Sequence, residues 1–192
     1  EYHMVKIVAD TWTLFSSEEG NKHGITITPL SVNIAKDSYR ELDEITSAQF
    51  LERLQEGALP TSSQPSIGEK MEQYELLAKA DEVLDITMAD GLSGTYESAC
   101  NAKADCVYGD RTTVLNSETL CGPHRYLVLK AVRLAEQGNS VSMIVDALRT
   151  SMMQERSFLI PRDFSFLKRV GRLTPLAATI GGMLKVVPVM TL

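Results

Sequence analysis

This 192-residue chain has few soft metal ligands and little to build disulfides from, only three cysteines and three histidines. Cys100, Cys106 and Cys121 are odd in number and form no CxxC pair, so no disulfide framework is implied and three partly buried thiols in a reducing compartment are expected. Asp81, Asp85 and Asp90 are scattered, and no His, Cys and carboxylate group has ligand spacing, so no metal is expected. Long apolar runs are missing too. None approaches the roughly 18–20 residues of a membrane span, and no basic-then-apolar segment opens the chain. The expectation is a cytoplasmic protein with no stable membrane insertion. GxxxxGK[ST] is absent and the glycines around Ser93 do not make GxGxxG, so no phosphate cradle is expected. Basic residues are the minority: 19 Lys and Arg against 25 Asp and Glu give a net charge of −6. Trp12, Tyr39, Tyr74 and Tyr96 are not interleaved with cations, so nucleic acid is not an expected partner.

What is present suffices for a packed core, with 44% hydrophobic and 23% charged residues. Glu1 to His3, ahead of Met4, read as a cloning remnant. Val5 to Asp10 predicts a strand that ends on polar groups. Ile25 to Ile34 alternates as a second strand, with Pro29 marking an edge or a bend. Thr46 is an N-cap for a helix through Gln55, stopped by Gly57. Ser66 followed by Glu69 is a capping-box pattern opening the next helix. Glu82 to Thr87 and Thr112 to Leu115 predict strands, with a helix between them toward Val107. Pro123 to Gln137 and Ser140 to Met153 predict two helices parted by Gly138 and Asn139. The repeated β-then-α order argues for an α/β fold: a largely parallel sheet flanked by helices. After Met153 come a short strand over Ser157 to Pro161, a basic amphipathic turn over Phe164 to Arg169 and a strand over Val186 to Met190. We therefore expect an N-terminal α/β domain over 4–155 and, over 156–192, the beginning of a second α/β domain, incomplete or truncated.

In a parallel α/β sheet, ligands sit beyond the carboxyl ends of the strands. Three hydroxyl-bearing loops fall there: Asp10-Thr11, Thr61 to Ser66, and Ser93-Gly94-Thr95. Hydroxyls and unpaired N–H groups at helix starts suit an anion, whereas the bland alternative is that Ser66 and Ser93 only cap helices. Ser93 is a weak candidate nucleophile. Thr95 stands where GxSxG needs its last glycine, and the histidines are poorly placed as bases, with His124 expected at the surface or capping a helix. Lys168-Arg169-Val170-Gly171-Arg172, the most basic stretch, is either a solvated helix end or a docking patch.

Five segments together resemble the DegV family, in family order and over essentially the whole chain. Thr61-Ser62-Ser63-Gln64-Pro65-Ser66-Ile67-Gly68-Glu69 resembles its TSQPSxGE signature, and Leu92 to Ala99 its LSGTYxSA motif. Phe166 to Leu173 is similar to its YLKKGGRI segment, Lys185 to Val189 to the IKPIL that follows, and Lys6 to Thr11 to its KIVTDS start. The resemblance implies a bacterial, non-catalytic carrier that buries a long-chain fatty acid such as palmitate in a tunnel. It also implies a partner, a separate ATP-dependent fatty-acid kinase that phosphorylates the carboxylate for lipid synthesis. It implies no cofactor. Carried over by residue, the carboxylate would be held by Ser93, Gly94 and Ser62, with Thr61 as a substitute because Ser62 stands where the family has Thr. Arg172, with Lys168 and Arg169, would serve the carboxylate mouth or kinase docking. Two other classes stay open: a small α/β serine hydrolase or acyltransferase using Ser93, and a lipid-free regulatory protein on the same fold.

Overall fold

The computed structural model describes residues 4–171 and 189–191. The chain divides into two compact units, Glu1–Gln154 and Glu155–Leu192. In the first, β1 (Val5–Asp10) is central in a four-stranded parallel sheet with β2 (Ile25–Thr28), β6 (Glu82–Thr87) and β7 (Thr112–Asn116), ordered β2-β1-β6-β7. The fold is thus α/β, a largely parallel sheet flanked by helices. Strands covered on both faces read as near-continuous apolar runs, as β1 does from Ile7 to Ala9, whereas β6 buries two polar residues, Asp85 and Thr87, among its apolar ones.

The two faces bury different partners. Ile7, Ala9, Leu84 and Ile86 pack with Phe15, with Leu127 and Val128 of α5 (Cys121–Glu136), and with Ile144 and Leu148 of α6 (Val141–Gln154). On the other face Val8 and Val83 meet Tyr74 and Ala78 of α3 (Ile67–Ala78) and Ala102 of α4 (Thr95–Asp105). There Lys70 donates to Asp85 Oδ2 at 2.7 Å and Tyr74 Oη to the same oxygen at 2.5 Å, all three side chains fully buried. Burial, then the adjacent Asp85 carboxylate, drives the Tyr74 pKa far upward, so its phenol stays protonated and donates. α1 (Ser17–Lys22) lies on β2 because Gly20 has no side chain: a Cβ there would stand 2.5 Å from Ile27 Cγ1.

The expected strand over Ile25 to Ile34 is two strands in two sheets. Pro29 lacks the N–H that would continue the ladder, and the chain leaves β2 there to form β3 (Ser31–Ile34). β3 pairs antiparallel with both β4 (Asp37–Arg40) and β5 (Thr61–Ser63), making a three-stranded sheet over a small core of Val32, Ile34 and Ile45. The polar sequence of β4 hid it from periodicity, and β5 is the first part of the hydroxyl-rich segment. α2 (Ser47–Gln55) opens on its expected N-cap, Thr46, which forms a capping box with Gln49, and α3 opens with the expected capping box of Ser66 and Glu69.

In the second unit β8 (Phe158–Leu159) pairs antiparallel with β9 (Met190–Thr191). The short helix α7 (Phe164–Arg169) opens on Asp163, whose carboxylate accepts from the Phe166 N–H at 3.0 Å. No helix among the described residues is long and apolar enough to cross a membrane.

Candidate functional site

Chain order dictates where a crevice opens. β1 is followed by β2 on one side, and the chain returns to β6 on the other side of β1, so strand order reverses between β1 and β6. Loops leaving these two carboxyl ends diverge and expose the strand ends between them.

Asp10 closes β1 and is fully buried. Its carboxylate accepts from Trp12 N at 3.0 Å and from Met88 N at 2.8 Å, tying the end of β1 to the first residue of the loop after β6. A second tie joins that loop to the one after β7, where Ala89 N donates to the Thr119 carbonyl at 2.9 Å. The loop then presents Ser93 and Gly94 before α4. Ser93 Oγ accepts from Thr95 N at 3.2 Å and lies 2.8 Å from Thr95 Oγ1. Ser93 is half-buried and Thr95 completely buried. Gly94 occupies the N-cap of α4 without a side-chain cap.

The two hydroxyl-bearing loops meet. A Cβ on Gly94 would stand 2.9 Å from Gln64 Nε2, so Gln64, between β5 and α3, rests on the backbone beside Ser93. Motif order along the chain gave no sign of this contact. Ser66 and Glu69, from the same signature, are spent on structure: Glu69 accepts from Ser66 N at 3.0 Å and from Arg40 Nη1 at 3.2 Å. Register separates Thr61 from Ser62. Ser62 pairs with Val32 and Thr61 with Asn33, and successive strand residues face opposite ways. Asn33 Nδ2 donates to Thr61 Oγ1 at 3.5 Å and to Ser63 Oγ at 2.9 Å on that other face. Thr61 and Ser62 therefore do not converge on one point. Lys168 and Arg169 end α7 in the second unit, and Arg172 lies outside the described residues.

His124 is not at the surface, as its position at a helix start suggested; it is fully buried. Its Nε2 lies 2.8 Å from the Ile86 carbonyl, which can only accept, so Nε2 carries the proton. Its Nδ1 is 3.9 Å from Asp10 Oδ1. Thr11 donates to Glu41 Oε2 at 2.6 Å. Burial pushes the Glu41 carboxyl above its usual range, the Thr11 bond pulls the other way and the Asp10 charge adds to the rise. Burial and the Glu41 charge also raise the Cys121 thiol. This partly buried cluster went unread in the sequence because its members come from three separate stretches of chain, around Asp10, Glu41 and Cys121. A shallow hollow of about 610 Å³, lined by Cys100, Lys103, Cys106 and Gly109, sits at the opposite end of α4 from Ser93. With about 1.5 Å of rise per residue, the length of that helix separates it from the hydroxyl loops. Among the described residues no group of three or more His, Cys, Asp or Glu could hold a metal ion.

Comparison with known proteins adds family context. The sequence profile of the DegV family, described as uncharacterised, matches residues 4–192. A DegV domain-containing protein of Caldanaerobacter subterraneus is 35% identical over 188 residues, covering 97% of this chain and 67% of the relative. One from Halalkalibacterium halodurans is 32% identical over 189 residues, covering 97% and 66%. The chain thus spans about two thirds of the length of the curated relatives it matches. The crystal structure of DegV from Bacillus subtilis, described as a fatty acid binding protein, superposes with a TM-score of 0.87 at 32% identity, covering 98% of this chain and 68% of that one. A stearic-acid-binding protein from Eubacterium ventriosum gives 0.84 at 29% identity, covering 98% and 67%.

Proposed function

Because this chain belongs to the DegV family, we propose that it is a non-catalytic carrier of a long-chain fatty acid such as palmitate. Ser93, Gly94 and Ser62 hold the carboxylate. The reading is carried by the convergence of the two hydroxyl-bearing loops, with Gln64 against Gly94, in a chain whose fold matches relatives described as fatty-acid binding. Register favours Ser62 over Thr61 as the second hydroxyl, since Thr61 faces Asn33.

The energetics suit a carrier. Burying a palmitoyl tail at about 0.8 kcal/mol per CH₂ offers roughly 10 kcal/mol before ordering costs. A hydrogen bond to the charged head adds only about 1.5–3 kcal/mol. The tail supplies affinity, and the hydroxyls set where the carboxylate stands. In this reading its phosphorylation falls to a separate ATP-dependent kinase in the cytoplasm, with which the lack of a Gly-rich phosphate loop in this sequence is consistent. Lys168, Arg169 and Arg172 are the residues proposed for the mouth or for kinase docking. A serine hydrolase is disfavoured by the partners of Ser93 Oγ among the described residues, which are the Thr95 hydroxyl and N–H rather than a base. His124 is fully buried, with Nε2 on the Ile86 carbonyl and Nδ1 toward Asp10 Oδ1.

The test is mass spectrometry of lipid extracted from the purified protein. Stoichiometric long-chain fatty acid is expected. Protein that emerges free of lipid and takes up no added palmitate would remove the carrier reading and leave the lipid-free regulatory alternative.

A further inference from the structure

Two hydroxyls 2.8 Å apart share one proton between them, and the surroundings decide which one gives it. Each hydroxyl has one proton and two lone pairs. Thr95 is completely buried, and its hydroxyl has no partner among the described residues other than Ser93 Oγ. If Ser93 donated, the Thr95 proton would be shut in the interior without an acceptor, the costly way to bury a polar group. Thr95 therefore donates. The same serine oxygen also accepts from the Thr95 backbone N–H at 3.2 Å. With both lone pairs occupied, Ser93 retains one capability, its own O–H, and it is half-buried with a side open to a ligand.

We propose that Thr95 is a positioning residue that makes Ser93 a donor-only group, so that the site selects head groups that only accept. An ionised carboxylate matches that demand on every oxygen. A fatty alcohol of the same length carries a proton of its own that Ser93 cannot accept, and it lacks the charge that strengthens the bond. Thr95 touches no ligand; it acts through Ser93. Without the threonine hydroxyl, one serine lone pair is freed to accept, so both kinds of head group are tolerated. The proposal rests on the fatty-acid reading given above and adds the source of its head-group preference.

The test compares palmitate with hexadecan-1-ol, both delivered on cyclodextrin at mildly alkaline pH, against the wild-type protein, Thr95→Val and Thr95→Ser. The quantity read is the ratio of the two dissociation constants, which a general loss of stability does not move. Thr95→Val is expected to lower the preference for the acid by roughly fivefold to tenfold, the scale of one typical net hydrogen bond. Thr95→Ser restores the donor and is expected to keep the wild-type ratio. If Thr95→Val does not fold, Thr95→Cys, whose thiol is a weak donor, is read in the same way. A ratio within twofold of wild type in the valine or cysteine variant overturns the role of Thr95 while leaving the carrier function standing. Wild-type protein that binds no palmitate overturns both.

Discussion

Single side chains divide the work between ligand and scaffold. Ser93→Ala removes the one hydroxyl proton offered outward, and the expected loss is about tenfold in palmitate affinity, measured by titration. Kinase-dependent acyl phosphate formation is expected to fall further than binding, because orientation is lost while the tail still holds; equal small losses in both assays would sink the orientation role. Glu41 makes a pH-dependent contribution of definite sign. Its folded pKa is raised above 4.5 by burial, so the folded state holds the proton more tightly than the unfolded chain does. The resulting stability is complete below an unfolded value near 4.5 and is lost as pH rises through the raised folded one. Glu41→Gln keeps an acceptor for Thr11 and cannot ionise. Thermal unfolding of this variant is expected to vary less with pH across that window and to exceed wild type at neutral pH. A variant that tracks the wild-type curve would contradict this account.

Between elements, two contacts decide how the site is held. Gln64 against Gly94 spaces the β5 loop from the β6 loop. Gly94→Ala forces the exposed Gln64 side chain aside, which costs little stability, within about 0.5 kcal/mol. It is expected to weaken palmitate binding severalfold, and Gly94→Ala combined with Gln64→Ala is expected to recover it; a double variant as weak as the single one would show that this spacing does not matter. On the buried side of the sheet, Lys70 and Asp85 lock α3 onto β6. Lys70→Met leaves the Asp85 carboxylate buried with only the Tyr74 phenol, and a loss of about 3–5 kcal/mol is expected in denaturant unfolding. A loss below about 1 kcal/mol would mean that water reaches Asp85. Both elements were readable beforehand, α3 from its Ser66–Glu69 capping box and β6 from its apolar run. Their pairing was not, because Lys70 and Asp85 are 15 residues apart and on different elements.

For the molecule as a whole, ligand and folding are linked. Palmitate at about 100 times its dissociation constant adds about 2.7 kcal/mol to the folded state. For a chain of this size that corresponds to an increase of roughly 5–10 °C in Tm. The shift should grow with palmitate concentration, and a Tm indifferent to palmitate would argue against binding to the folded protein.

The amino-acid sequence by itself determined the α/β class, the parallel strands, most helix starts and the family, because these rest on short-range signals: apolar runs, capping boxes and contiguous motifs. It also marked Ser62 and Ser93 as candidate hydroxyls; Ser93 lies in the loop after β6, whereas Ser62 lies within strand β5 rather than in a loop beyond a strand end. Only the tertiary structure decided that Pro29 divides one apparent strand between two sheets and that His124 is buried beside Asp10. It alone turned Thr61 away from Ser62 and brought Gln64 onto Gly94. Each of these depends on register or on contacts between residues far apart in the chain. A strand pattern does not specify its neighbour's register, and a hydroxyl in a loop does not specify which way its proton points until burial removes the alternatives.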